Sequence, residues 1–118
     1  MSVAKKARPD VLHGITWKIP TALGKLYVTI SENADGVPVE MFVTIGKCGA
    51  PLVADAEAIG RLASLALRHD VPLEEIRQQL RGISSDKTSG NGDTLVLSMP
   101  DAVGIAIERW QEGRKVKK

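Results

Sequence analysis

Three short segments near the start of the chain alternate apolar and polar residues. In 14–19, 25–31 and 38–45, every second residue is apolar, and a period of two is typical of a strand with one buried face. Pro20 ends the first strand because it cannot donate to a ladder, and the turn at 33–36 suits a tight hairpin. The pattern predicts a three-stranded antiparallel meander with these side chains inward: Ile15, Trp17, Ile19, Leu26, Val28, Ile30, Val39, Met41, Val43 and Ile45.

After the third strand, the apolar residues are spaced by three and four positions, as on a helix. This spacing predicts a long helix over 52–69, whose apolar stripe is wide enough to contact the sheet and another helix. A second helix follows over 73–80, and a third begins after Ser98 and ends at Gly113. Residues 84–93 contain no apolar residue and predict a loop. The expected fold is α+β, a three-stranded antiparallel meander followed by about three helices packed on one face.

Charge is unevenly distributed along the 118 residues. Of 16 basic residues, seven lie within 1–8 and 114–118, whereas all 14 acidic residues lie between, which gives that middle part a net charge of −5. A protein that binds double-stranded DNA needs a basic face on its folded domain. Because the middle part of this chain is acidic, specific DNA binding is disfavoured. The two basic ends are expected to be solvated. We therefore divide the chain into a basic N-terminal arm (1–12), one domain (13–113) and a basic tail (114–118).

The sequence contains no targeting or membrane-spanning signal. No apolar run approaches the roughly 20 residues that a bilayer span needs, and the charged start has no apolar core of a signal peptide. A single cysteine, Cys48, can form neither an intrachain disulfide nor a structural zinc site. These features predict a reduced cytoplasmic protein without a metal or other cofactor.

Few residues offer catalytic chemistry. Gly46 and Gly49 flank Lys47 between a strand and a helix, where backbone amides can bind an anion, but the spacing matches no phosphate-loop motif and a tight turn is favoured. Cys48 is interpreted as a small packing residue, because the sequence pattern places no histidine beside it to act as a base. No pair of carboxylates suggests acid–base catalysis. We expect no enzyme activity from this chain alone.

Two surfaces are better candidates for binding. Small residues at helical spacing on the first helix allow close packing within the chain or against a second copy: Ala56, Gly60, Ala63 and Ser64. The outward face of the sheet carries an aromatic pair, Tyr27 and Phe42, among polar side chains. Aromatic rings in such a setting can stack on a base or contact a protein. The predicted ligand-binding residues are therefore Lys18, Tyr27, Thr29, Phe42, Thr44 and Lys47.

Three segments of the chain resemble the TSCPD domain, which occurs at the C-terminal end of cobalamin-dependent (class II) ribonucleotide reductases and in free-standing bacterial and phage proteins. They are GITWKIPTALGKLYVTISENADGVPVEMFVTIGKCG, EAIGRLASLALRHDVPLEEIRQQLRGI and SMPDAVGIAIERW. The family takes its name from a Thr-Ser-Cys-Pro-Asp string, and this chain has Leu97, Ser98, Met99, Pro100 and Asp101 at that place. Met99 thus replaces the family cysteine. The remaining Ser98 and Asp101 predict a capping box for the third helix.

The resemblance implies a setting in deoxyribonucleotide metabolism. Ribonucleotide reduction itself requires a radical-carrying cysteine, a reducing cysteine pair and a large barrel, which this chain lacks. The first hypothesis is a non-catalytic accessory module that binds a nucleotide or a ribonucleotide reductase subunit. One alternative is a structural or assembly protein that forms a homo-oligomer through the small-residue helix or a sheet edge. Another is a phage-encoded protein that sequesters a nucleotide.

Overall fold

The computed structural model describes residues 4–46, 49–92 and 95–116. Its first half is one antiparallel sheet in which each strand pairs with the next along the chain, in the order β1-β2-β3. The strands are β1 (His13–Thr21), β2 (Gly24–Glu32) and β3 (Pro38–Ile45). In the turn before β3, the Asn33 side-chain oxygen accepts hydrogen bonds from the backbone N–H groups of Asp35 and Val37. The predicted meander is confirmed. The predicted end of the first strand at Pro20 is wrong, because β1 continues to Thr21 with Pro20 paired to Lys25.

Three helices follow: α1 (Ala50–Arg68), α2 (Leu73–Leu80) and α3 (Met99–Val116). The α+β class and the element order agree with the sequence pattern. The predicted end of the third helix at Gly113 is wrong, because α3 continues to Val116. A glycine near a helix end costs only about 1 kcal/mol, so it does not by itself end the helix.

The apolar core lies between the inner face of the sheet and α3. The inward side chains Ile19, Leu26 and Ile30 are buried. From α3, Val103 and Ile107 are buried in the same cluster, and Trp110 closes it. α2 contacts α3 and contributes Leu73. The helices therefore cover one face of the sheet and leave the other face to solvent or to the N-terminal arm.

α1 lies along the outer edge of β3 rather than between two other helices. The Ser64 hydroxyl accepts a hydrogen bond from the N–H of Met41 (2.8 Å) and donates one to its carbonyl (2.9 Å). A Cβ at Gly60 would come within 3.2 Å of the Met41 oxygen and the Val43 nitrogen, which is tighter than most Cβ contacts, so glycine favours this close approach. The small residues of α1 therefore serve packing inside the chain, and they close the β3 edge.

The N-terminal arm is anchored to the body of the domain. The Lys6 amide donates to the carbonyl of Arg68 (2.8 Å), and the Lys6 ammonium pairs with Asp70 (2.8 Å). Arg8 pairs with Glu40 (2.9 Å). Lys6 and Arg8 remain exposed to solvent, and their ion pairs with acidic residues far along the sequence hold this part of the arm against the domain.

Candidate functional site

The outward face of the sheet brings five of the six predicted binding residues together. Lys18, Tyr27 and Thr44 lie side by side in one row across the three strands, because each is paired with the next in the strand register. Thr29 and Phe42 are directly opposite each other in the adjacent row. Lys47, the sixth residue, lies outside the described residues, as does Cys48.

The two aromatic rings of this face are accessible. Phe42 is 53% exposed and Tyr27 is 38% exposed. They are diagonal neighbours on adjacent strands, a relation that places Cα atoms about 7–8 Å apart and lets large side chains touch. The Thr16 and Thr29 hydroxyls share a hydrogen bond of 2.7 Å beside them. The face thus has two exposed aromatic rings at its centre and threonine hydroxyl groups around them.

The sheet face continues into a groove between β3 and α1, with a volume of about 790 Å³. Phe42 forms one wall, and the other wall is formed by the apolar side chains Val53, Leu62 and Leu65 of α1. Leu62 is 67% exposed and Leu65 is 45% exposed. We name the four residues Phe42, Val53, Leu62 and Leu65 the Phe42 surface.

The sequence analysis did not assign the three α1 residues to a site. It placed them in a wide apolar stripe expected to contact the sheet and another helix. In the structure, α1 has extensive contact with β3 and little with α3, so part of the stripe remains exposed. The width of the stripe was the signal that could have identified these residues as a surface.

Acidic groups near the Phe42 surface are held by arginines. Glu40 is on the outward side of β3, but it is buried, because Arg8 and Arg68 both contact its carboxylate (2.9 and 3.4 Å). The hydrogen bond to Glu40 raises the pKa of Arg8 above its ordinary value. Glu57 pairs with Arg61 across one turn of α1 (3.4 Å).

Other basic groups around this surface lack such partners. Within the described ranges, no ion pair involves Lys5, Lys18 or Lys25. Lys5 lines the groove, and Lys18 and Lys25 lie toward the other end of the sheet face. The surface therefore has an apolar centre and a charged rim, in which these lysines add positive charge that no described acidic side chain neutralises.

The segment that resembles the family string lies at the start of α3 and has a structural role. The Ser98 hydroxyl accepts a hydrogen bond from the Asp101 N–H (3.1 Å), which confirms the predicted cap. The Asp101 carboxylate does not complete the capping box at Ser98. It accepts from the N–H groups of Leu97 (3.0 Å) and Gly82 (2.9 Å), and from Arg81.

Asp101 is fully buried, and its surroundings favour the charged form. Burial alone raises the pKa of this carboxyl, but the N–H groups of Gly82 and Leu97 and the Arg81 guanidinium lower it more, so that it lies below its ordinary value. Met99, at the place of the family cysteine, is buried in the apolar core. Here the string joins the end of α2 to the start of α3.

The residue types most often used in catalysis and metal binding are spread over several elements. Among the residues described, no group of three or more His, Cys, Asp and Glu side chains is placed to hold a metal ion. His13 is at the start of β1 and His69 is at the end of α1, on different elements. In the same part of the chain, none of the helices combines the length and the apolar character needed to span a bilayer.

Comparison with known proteins gives two matches. A family model described as the TSCPD domain matches residues 2–111, which is nearly the whole chain. A vitamin B12-dependent ribonucleotide reductase from Rhodopirellula baltica is 34% identical over 68 residues. These residues are 58% of this chain and 6% of the reductase, so the chain corresponds to a small part of that protein. No solved structure matches the chain.

Proposed function

The chain belongs to the TSCPD domain family, and from that premise we propose that it is a non-catalytic accessory module of ribonucleotide reduction that docks on a vitamin B12-dependent reductase through the Phe42 surface. The link to such an enzyme comes from the similar segment in the Rhodopirellula baltica reductase. The surface is the observation that carries the docking role. It exposes one aromatic and three aliphatic side chains around a single groove.

An exposed cluster of this kind is typical of a protein-binding site. Single exposed apolar residues are common on soluble proteins, but contiguous apolar patches mark interaction sites. Aromatic residues are enriched at the centres of protein interfaces, and polar or charged residues form the rim. Phe42 at the centre, with Lys5 and Arg61 at the edge, has this arrangement.

The chemistry of the chain supports a role as a module rather than as the catalyst. Its one cysteine cannot supply both a radical-carrying thiol and a reducing pair. Asp101, whose pKa is clearly shifted, is occupied by structural hydrogen bonds at the α2–α3 junction. Reduction of the substrate is therefore assigned to the partner enzyme, and recognition to this chain.

A second candidate function, nucleotide binding, rests on the row formed by Lys18, Tyr27 and Thr44. An exposed tyrosine ring can stack on a base, and a lysine beside it can contact a phosphate. Such a ligand would lie on the sheet face next to the Phe42 surface. Calorimetric titration of the chain with ribonucleotides, deoxyribonucleotides and cyclic dinucleotides tests this candidate. A Lys18→Glu variant should abolish any heat of binding that the row produces.

The docking proposal is tested by measuring the affinity of the chain for the purified B12-dependent reductase of its own organism. Phe42→Thr and Leu65→Gln remove apolar area while keeping residues suited to a strand and a helix. Val37→Thr is the matched control, because Val37 is exposed to a similar degree (48%) in the turn before β3. Circular dichroism of each variant checks that the fold is kept.

We expect both surface variants to weaken binding at least tenfold and the control to bind like the original chain, since truncation of a central aromatic or aliphatic contact costs about 1–2 kcal/mol or more. Equal affinity for all four proteins would contradict the docking proposal. Absence of binding by the original chain would contradict it as well.

A further inference from the structure

The two edge strands of the sheet, β1 and β3, differ in how far other parts of the chain cover their main-chain groups. At the β3 edge, Ser64 of α1 occupies both main-chain groups of Met41. At the β1 edge, no described strand or helix takes the same position, since α3 contacts β1 and β2 from the helix side of the sheet. An uncovered edge strand offers free N–H and C=O groups to another strand.

The register identifies which main-chain groups of β1 point outward. Met41 is opposite Ile30, and its groups point to Ser64, so this pair exchanges no hydrogen bonds. In an antiparallel ladder, bonded and non-bonded pairs alternate, and both groups of a residue point to the same side. Ile30 is therefore bonded to Ile15 of β1, and the residues on either side of Ile15 point away from the sheet.

The outward groups of β1 belong to Gly14, Thr16, Lys18 and Pro20, and Pro20 has no N–H to donate. In the described ranges, no hydrogen bond involves the main chain of Gly14, Thr16 or Lys18. Pro20 marks the limit of the segment that can pair. The free edge is thus three residues that can each donate and accept.

We propose that this edge pairs with the same edge of a second copy, antiparallel and centred on Thr16, which joins the two sheets into one of six strands. In this register Thr16 lies opposite Thr16 of the second copy, and Gly14 lies opposite Lys18. The three pairs exchange about six main-chain hydrogen bonds. The dimer is independent of the docking surface, which lies at the opposite edge of the sheet.

The side chains of β1 are self-complementary in this register. On the helix side, Ile15 is 40% exposed and would lie opposite Trp17 of the second copy. On the outward side, Lys18 would lie over Gly14, which has no side chain. The two lysines would be four positions apart, or about 13 Å, which exceeds a screening length of about 10 Å at moderate salt.

Neighbouring registers are less favourable. Centring the pair on Trp17 would also form about six main-chain hydrogen bonds, but it would leave the Gly14 carbonyl opposite Pro20 without a donor, because proline has no N–H. It would also place the two Lys18 side chains only two positions apart, or about 7 Å, which is within the screening length. Centring it on Lys18 would place two lysines directly opposite each other, which is destabilising in a cross-strand pair. With Thr16 at the centre, every pair of outward residues can exchange both hydrogen bonds, and the two lysines lie farther apart than in either neighbouring register.

Sedimentation equilibrium of the full chain over a range of concentrations tests the proposal. We expect a reversible monomer–dimer equilibrium. Thr16→Lys and Thr16→Glu each place like charges at the two-fold axis and remove the threonine pair, and each should raise the dissociation constant about tenfold. Thr44→Lys is the matched control, because it adds the same charge to the same face of the sheet on β3.

Mixing the two Thr16 variants provides the register test, since lysine then lies opposite glutamate. The mixture should dimerise more tightly than either variant alone, whereas Thr44→Lys should dimerise like the original chain. A monomer at every concentration would overturn the proposal. A dimer that is unaffected by both Thr16 variants would overturn it too, because the interface would then lie elsewhere.

Discussion

Replacement of Asp101 by alanine tests the structural role assigned to the family string. The carboxylate is fully buried and accepts hydrogen bonds from the N–H groups of Gly82 (2.9 Å) and Leu97 (3.0 Å), and from Arg81. Alanine would leave all three donors without this acceptor. Arg81 would keep its second partner, Glu108 (3.0 Å).

The expected loss of unfolding free energy is about 3 kcal/mol. A buried donor left without a partner costs about 1–3 kcal/mol, and we take the lower end for each amide because Gly82 is exposed and Leu97 is half-buried. The lost contact to Arg81 adds about 1 kcal/mol, since the arginine side chain is 34% exposed and screened by solvent. This is a large fraction of the 5–15 kcal/mol typical of a domain.

Urea denaturation followed by the fluorescence of Trp17 and Trp110 measures this loss. Asp86→Ala is the control, because Asp86 is also acidic but exposed in the loop before α3. Its effect should stay within about 0.5 kcal/mol. Asp101→Asn keeps one acceptor oxygen and should fall between the two. If Asp101→Ala were as stable as the control, the hydrogen bonds of Asp101 would not be what joins α2 to α3.

Three further predictions concern the helices. Hydrogen bonds from Arg77 and Gln111 lower the pKa of Glu74 to about 2, so its contribution to stability should be lost as the pH falls from about 4.5 through about 2. In urea denaturation at a series of pH values, Glu74→Gln should reduce the dependence of the unfolding free energy on pH in this range. Gly60→Leu should lower the unfolding free energy by about 1–3 kcal/mol, because the leucine side chain would meet the β3 backbone. Gly113→Ala, in open space, should raise the unfolding free energy by up to about 1 kcal/mol. Thermal melts that ranked the two variants the other way would refute this. Ser64→Ala should cost about 1–3 kcal/mol in urea, because the buried Met41 loses both main-chain partners, and an unchanged midpoint would mean that the β3 edge does not need this cap.

The strands could be predicted from the sequence because their pattern depends only on adjacent residues. Alternation in 14–19, 25–31 and 38–45 fixes which side of each strand is apolar, and the structure places the sheet there. Ile15 is the informative exception. It has the inward position, yet it is 40% exposed, because a strand at the sheet edge has less cover from the helices. Whether a strand lies at the edge or in the middle of the sheet depends on the tertiary fold, and the alternation of apolar and polar residues does not predict it.

The surroundings of the site were harder to predict because they depend on residues far apart in the sequence. Glu40 reads as an outward polar residue, but Arg8 and Arg68 cover it from 32 and 28 positions away. The capping function of Ser98 was predictable from local spacing. The reach of Asp101 to Gly82 was not, since it depends on how α2 is placed against α3.

The outward sheet face was identified correctly as an exposed surface with two aromatic rings. Its extension onto α1 was missed, because an apolar stripe on a helix is most often assigned to the core. Only the placement of α1 along the β3 edge shows that Leu62 and Leu65 remain uncovered by the described chain. The binding role of this surface remains a proposal.

The measurement that tests the central claim most directly is hydroxyl-radical footprinting of the full chain with and without the B12-dependent reductase. Exposed side chains are oxidised, and those covered by a partner are protected. The proposed docking predicts protection of Phe42, Leu62 and Leu65, with Val11 and Val37 unchanged. Oxidation of Phe42 and both leucines at the same rate in the presence of the reductase would contradict it.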